Sequence, residues 1–172
     1  MLFSGYLVPD LVLPSFEDLT VSLLREKKML HVISDIDNTL SPYEEDVPPE
    51  RVLRWAEEMK SNGIVLSIVS NNGRSRVERY AAPLGVFALS DAKKPSRKPL
   101  LRAMEAAGIP PEYTCVLGDQ LLTDIFSGKL CGAWSVFVPP IRDRTTLFQK
   151  TKRLLERPYL RLYREKEGTN DA

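Results

Sequence analysis

Leu30-His31-Val32-Ile33-Ser34-Asp35-Ile36-Asp37-Asn38-Thr39-Leu40 begins as a short apolar run and ends on two carboxylates. The run is too short for a helix and reads as a strand, Leu30 to Asp35. Ile64 to Val69 is a second, β-branched run, and Val86 to Leu89, Thr114 to Leu117 and Ala133 to Val138 are further short strands. Amphipathic stretches separate them. Pro49 to Asn62 predicts a helix with Leu53, Ala56 and Met59 on one side and Gly63 as its stop. Arg74 to Ala82, ended by Pro83, Ser96 to Ala107, stopped by Gly108, and Leu121 to Leu130 predict three more. Short strands without strict alternation, separated by helices, predict an α/β fold whose parallel sheet is covered on both faces. Chemistry in such sheets sits at the carboxyl ends of the strands.

Four of those ends carry polar groups. Asp35 and Asp37, two residues apart, project to one side of an extended segment. Uncompensated, each would raise the other's pKa, and a divalent cation with oxygen ligands removes the conflict. The alternative is a solvated acidic turn. Ser70-Asn71-Asn72-Gly73 ends the next strand ahead of a helix, where a hydroxyl and free amides can hold an anion or simply cap the helix. Asp91-Ala92-Lys93-Lys94-Pro95, then Lys98-Pro99, offers a lysine to the same cleft or forms a solvated basic loop. Gly118-Asp119-Gln120-Leu121-Leu122-Thr123-Asp124 places Asp119 at a strand end and Asp124 early in the next helix. Gly118 allows close backbone approach. An acidic helix cap is the alternative for this last segment.

In this order the four segments resemble the haloacid dehalogenase (HAD) superfamily of phosphohydrolases, from about Met29 to Val138. DxDNTL at 35–40, SNN at 70–72, AxKP at 92–95 and GDQLLTD at 118–124 resemble the YqeG-like branch of HAD subclass III more closely. The Pro9 to Leu19 stretch is similar to that branch as well. The resemblance implies a three-layer Rossmann-like fold and a Mg²⁺-dependent phosphomonoester hydrolase acting through an aspartyl phosphate. It implies Asp35 as nucleophile and Asp37 as general acid, then base. Lys94 would stabilise the charged centre, and Thr39, Ser70 and Asn71 would serve the substrate side, Thr39 by supporting the loop. Asp35, Asp119 and the Asp37 carbonyl would hold Mg²⁺, with Asp124 supporting. Ser34 departs from the apolar residue usual before the nucleophile, and Lys98 duplicates the Lys-Pro pattern; the Ala92 context favours Lys94. The branch includes mitochondrial phosphatidylglycerophosphate phosphatases, which makes a membrane lipid a candidate substrate. A small-metabolite phosphatase and a non-catalytic HAD-fold scaffold are the alternatives. The stretches 40–49 and 72–94 have no room for a cap domain, so an open site is expected.

Composition bounds the rest. With 24 Lys+Arg against 23 Asp+Glu, the net charge of +1 selects no partner, and no nucleic acid is expected. No run approaches the ~18 apolar residues of a membrane span. One histidine, His31, excludes a multi-histidine zinc site. Cys115 and Cys131 form no CxxC pair and read as small buried hydrophobes, compatible with a reducing, cytoplasmic setting. The 172 residues read as one domain: an arm and helix over 1–28, a catalytic core over 29–138 and a basic segment over 139–172. Ser15 is a candidate cap for the first helix, with Asp18 in its first turn. From Arg142 to Lys166 basic residues interleave with apolar ones at roughly helical spacing, broken at Pro158. Such a segment either docks peripherally on an anionic membrane or packs on the core. Oligomeric state is left open.

Overall fold

The computed structural model describes residues 4–142 and 156–163. Its framework is a six-stranded parallel sheet. The strands are β1 (Leu11–Val12), β2 (His31–Ser34), β3 (Val65–Val69), β4 (Phe87–Leu89), β5 (Thr114–Gly118) and β6 (Trp134–Phe137), in the spatial order β1-β6-β5-β2-β3-β4. The chain runs outward from β2 through β3 to β4, then crosses to build β5 and β6 on the other side. That reversal creates a crevice beyond the carboxyl end of β2.

The helices are α1 (Ser4–Leu7), α2 (Val21–Glu26), α3 (Glu50–Ser61), α4 (Arg74–Ala81), α5 (Lys98–Ala107) and α6 (Phe126–Cys131). Val21 and Leu24 of α2, Trp55 and Met59 of α3, and Val77 and Tyr80 of α4 share one core with Val32, Leu66 and Ile68. Leu100, Ala103 and Met104 of α5 pack with Ile33, Val69 and Val116 on the opposite face. α3 also buries Val52 and Trp55, a wider apolar stripe than Leu53, Ala56 and Met59 predict; Leu53 is only partly buried. Gly128 of α6 is needed for close helix–sheet packing, because a Cβ there would lie 2.9 Å from the Val116 Cβ.

The amino-terminal reading needs two corrections. The arm is not merely extended: Leu11 and Val12 form a strand beside Val136 and Phe137. Asp10 secures it by accepting from the Ser135 N–H and hydroxyl, both at 2.8 Å. Ser15 caps only a 3₁₀ turn, Phe16–Asp18, accepting from the Glu17 N–H. The helix that follows is capped by Thr20, which accepts from the Leu23 N–H at 3.2 Å. Phe16 is anchored by the Trp55 ring, 5.4 Å away edge-on, so tertiary burial ends the local helix early.

Two further expectations shift. Leu121 to Leu130 is a π-helical turn, Leu121–Ile125, leading into α6. Cys115 is fully buried, but Cys131 is only half-buried. In the basic segment, 143–155 and 164–172 lie outside the described residues. Residues 156–163 are helical and include Pro158, so it is no break there. Tyr159 and Leu160 pack against Leu121, Ile125 and Phe137, leaving Arg157 and Arg161 exposed. No helix among the described residues is long and apolar enough to cross a membrane.

Candidate active site

Strand register sets the site's height. Ser34 lies opposite Ile68 on one neighbour and Leu117 on the other. Asp35 therefore leaves the sheet directly after Ser34, and Ser70 and Asp119 leave the neighbouring strands one position further on, at the same end. Asp35 and Ser70 line a cleft of about 220 Å³ there, together with Asp37, Asn38, Tyr43, Asn71, Asn72, Lys94, Gln120, Thr123 and Asp124.

Asp35, Asp119 and Asp124 are all buried, and their carboxylates offer oxygens within 4.8 Å of one another. Asp124 reaches the group because Gly118 has no side chain: a Cβ there would sit 2.3 Å from the Asp124 Cβ. A second bond fastens the return, with the Gln120 N–H donating to Asp124 Oδ2 at 3.1 Å. Glu156, on the described carboxyl-terminal helix, accepts from the Leu121 N–H at 2.9 Å and braces the same turn.

Lys94 supplies the counter-charge. Its Nζ donates to Asp35 Oδ1 at 2.8 Å and to the Val69 carbonyl at 2.7 Å. It also lies 2.6 Å from Asp124 Oδ1, an ion pair whose angle falls outside hydrogen-bond geometry and leaves that oxygen without a hydrogen-bond donor. Asn71 brackets the lysine loop, its Oδ1 accepting from the Lys94 N–H at 2.7 Å. The loop is tightly wound, with Asp91 and Lys93 at φ of 48° and 55°, a region non-glycine residues rarely adopt. Lys98 begins α5 and is exposed, away from the cleft.

Burial pushes the Asp35 pKa up to about 6, against the opposing pull of Lys94. Burial, then the nearby Asp124 and Asp35 carboxylates, raises Asp119 well above the usual range. Burial works against the Lys94 ammonium too, but Asp124 and Asp35 more than offset it and hold it protonated. Three buried carboxylates thus face one buried ammonium. All the donors near the centre are oxygens, which suits a hard divalent cation better than a zinc site of nitrogen and sulfur.

The remaining expected residues are here too. Thr39 is buried, its Oγ1 donating weakly to Asp119 Oδ1 at 3.5 Å. Ser70 Oγ is buried and accepts from the Asn72 N–H at 3.2 Å. The Ser34 hydroxyl donates to the Asp35 carbonyl at 2.8 Å, so this departure from an apolar residue is satisfied locally. His31 stands at the other end of β2, about 13 Å away at ~3.3 Å per residue, and takes no part.

Sequence reasoning missed Arg76. Its Nε and Nη2 donate to Asp37 Oδ1 at 3.1 and 2.6 Å. Arg76 comes three residues after Gly73 in the first turn of α4, where acidic residues are normally favoured and none occurs. That inverted charge was the available signal. Tyr43, Gln120 and Thr123 were missed as cleft-lining residues; nothing local in the sequence sets them apart.

The family described as mitochondrial PGP phosphatase matches residues 3–140. The protein described as probable phosphatase YqeG from Bacillus subtilis (strain 168) is 33% identical over 161 residues, covering 94% of each chain. A cobalt-bound deoxy-D-mannose-octulosonate 8-phosphate phosphatase of Haemophilus influenzae is structurally similar at a TM-score of 0.54 and 17% identity, over 65% of this chain and 69% of that one. An uncharacterized protein from Listeria monocytogenes serotype 4b is similar at 0.53 and 16% identity, over 69% and 85%. At those identities the two structures speak to the fold alone.

Proposed function

Because the chain belongs to the mitochondrial PGP phosphatase family and is a phosphatase of HAD type, we propose that it hydrolyses a phosphomonoester through an aspartyl phosphate on Asp35, with Mg²⁺, and that phosphatidylglycerophosphate is its leading substrate. The observation that carries this reading is the convergence of the Asp35, Asp119 and Asp124 carboxylates, two of them paired with the buried Lys94, at the carboxyl end of β2.

Asp35 and Asp119, with the Asp37 carbonyl, would hold Mg²⁺, and Asp124 stands within reach. Bound there, the ion supplies positive charge that offsets the repulsion between a phosphate dianion and a carboxylate nucleophile. Every other part belongs to the chain. Lys94 holds Asp35 in place through Oδ1. An Asp35 oxygen attacks phosphorus, the bond to the leaving oxygen breaks, and Asp37 gives that oxygen a proton. Water then attacks the same phosphorus, Asp37 takes its proton, and the Asp35–phosphorus bond breaks to release inorganic phosphate. Ser70 and Asn71 line the phosphate side of the cleft, and Thr39 braces Asp119.

The open site supports a substrate held by something large. Residues 41–49 and 72–94 carry no cap domain, so a headgroup still anchored in a bilayer has access. A small soluble phosphate ester is the second reading, favoured by the described carboxyl-terminal helix, whose Tyr159 and Leu160 face the protein. Phosphate release is to be compared on phosphatidylglycerophosphate in anionic vesicles and on glycerol 3-phosphate, both with Mg²⁺. Faster turnover of the lipid is expected. No turnover of the lipid beside clear hydrolysis of the soluble ester would move the assignment to a small metabolite.

A further inference from the structure

Asp37 is gripped from outside the catalytic cluster. Arg76 Nε and Nη2 both donate to its Oδ1, at 3.1 and 2.6 Å. Asn72 Nδ2 donates to its Oδ2 at 2.8 Å. The Asn72 amide is itself oriented, because its Oδ1 accepts from the Gly73 N–H at 3.0 Å. A carboxylate oxygen offers two in-plane lone pairs. Oδ1 takes two charge-assisted donors from one guanidinium, which makes it the less basic oxygen, whereas Oδ2 takes only the neutral Asn72 amide and keeps a free lone pair.

The guanidinium is fixed in turn. Its side chain is only 11% exposed, Nη1 donates to Asp46 Oδ1 at 3.0 Å, and its centre lies 4.8 Å over the Tyr43 ring. The second Asp46 oxygen takes Arg79 Nη1 at 2.6 Å. One turn further along α4, the Tyr80 hydroxyl meets Ser41 Oγ at 2.5 Å. Residues four apart on a helix share a face, and here that face holds both ends of the turn in which Asp37 and Ser41 are bridged. The loop bearing Tyr43 and Asp46 lines the cleft where a leaving group must depart.

We infer that Arg76 is the positioning residue that makes Oδ2 the working oxygen of Asp37, and that it couples this oxygen to the Tyr43–Asp46 loop beside the leaving group. The inference rests on the acid–base role given to Asp37 above. When phosphorus leaves the substrate oxygen, Oδ2 delivers its proton to that oxygen, and Oδ1 stays engaged by Arg76. A guanidinium matters here, because a lysine would offer a point charge without the paired donors that hold Oδ1.

Leaving-group chemistry tests it. Benzyl phosphate and 4-nitrophenyl phosphate are similar in size, but only the benzyl alkoxide needs a proton to depart. Leaving-group release is to be measured in the first turnover, so that the later attack of water does not enter. A positioned acid contributes ~10²–10⁴-fold. Arg76→Gln should therefore slow benzyl alcohol release by at least about tenfold more than nitrophenol release, with benzyl phosphate KM within about threefold. Arg76→Lys should recover only part of the loss. Asp46→Asn, which loosens the outer brace, should show the same selectivity to a smaller degree. Asp37→Asn should show the selectivity in full. If Arg76→Gln and Arg76→Lys slow both substrates equally while Asp37→Asn remains selective, Arg76 is structural and the inference is overturned with the reading of Asp37 intact. If Asp37→Asn is itself unselective, the reading fails and the inference falls with it. Melting temperatures identify any variant that fails to fold, in which case the milder Arg76→Lys decides.

Discussion

The two ends of β2 answer one problem in opposite ways. Both place an ionisable side chain in a buried position, His31 at the amino end and Asp35 at the carboxyl end. At the amino end the flanking strands supply hydroxyls. Ser67 Oγ lies 2.9 Å from His31 Nε2 and Thr114 Oγ1 lies 3.4 Å from Nδ1. Burial brings the His31 pKa down to about 4, so the ring stays neutral, with a hydroxyl beside each ring nitrogen. At the carboxyl end, three carboxylates meet one lysine. A buried group that costs stability is normally neutralised or paired. Where burial instead gathers a surplus of one charge, the site is built for something that arrives from outside. The contrast can be broken or sharpened by experiment.

The largest effect should come from Asp35→Asn. Turnover should fall by at least about 10³-fold, as when other enzymes lose a nucleophile. The melting temperature without metal should hold or rise, because a buried carboxylate is removed while Lys94 keeps Asp124. Turnover within tenfold of the parent would remove the aspartyl phosphate on Asp35.

Next comes the metal. Chelation should lower turnover by on the order of 10²-fold or more, since a bound divalent cation contributes several kcal/mol to such reactions. Mg²⁺ at 100 times its dissociation constant should stabilise the fold by about 2.7 kcal/mol, and Asp119→Asn should abolish that stabilisation in a thermal melt. The pH dependence has a definite sign. Asp35 binds its proton more tightly folded, at about 6, than its ordinary value of 3.8. Its contribution to metal-free stability is therefore present below about pH 4 and lost as pH rises through 6. An unchanged melt in Mg²⁺ would show that the triad holds no ion.

Gly118→Ala should come third in its effect on turnover, acting through Asp124 alone. The clash is with a Cβ rather than a flexible tip, so overpacking should cost about 3 kcal/mol, read from denaturant unfolding, together with weaker Mg²⁺ binding. Parent-like stability would mean that Asp124 does not need the close approach.

His31→Gln should change turnover least, by less than about twofold. Its signature is in stability. The folded pKa of about 4 lies below the ordinary 6.5, so the parent gains stability above pH 6.5 and loses up to about 3 kcal/mol of it as pH falls to 4. The variant should lack this component in unfolding curves across that window. A large loss of turnover instead would put the amino end of β2 in the chemistry and dissolve the contrast.

Much of this molecule is written locally. The apolar runs at 30–35, 64–69 and 114–117 become β2, β3 and β5, with β2 between the other two, because an unbroken apolar run suits a strand buried on both faces. Helix stops at Gly63 and Gly108 follow from the left-handed backbone they adopt, φ of 79° and 65°. The polar residues after each strand were legible as a set once the strands were placed. Other features depend on partners far along the chain. Strand order, and with it the crevice at β2, is decided by pairing between residues some eighty apart. Leu11–Val12 becomes a strand only because β6 offers an edge. Arg76 meets Asp37 across 39 positions, and the inverted charge at the start of α4 does not say which carboxylate it meets. Asp124 enters the cluster through a turn braced by Gln120 and Glu156. Sequence by itself determined which residues are strand-like, helical or chemically apt, because propensity and periodicity act between neighbours. Which of those residues face one another, and which charges remain uncompensated, was decided by tertiary structure, because burial is a property of the assembled sheet.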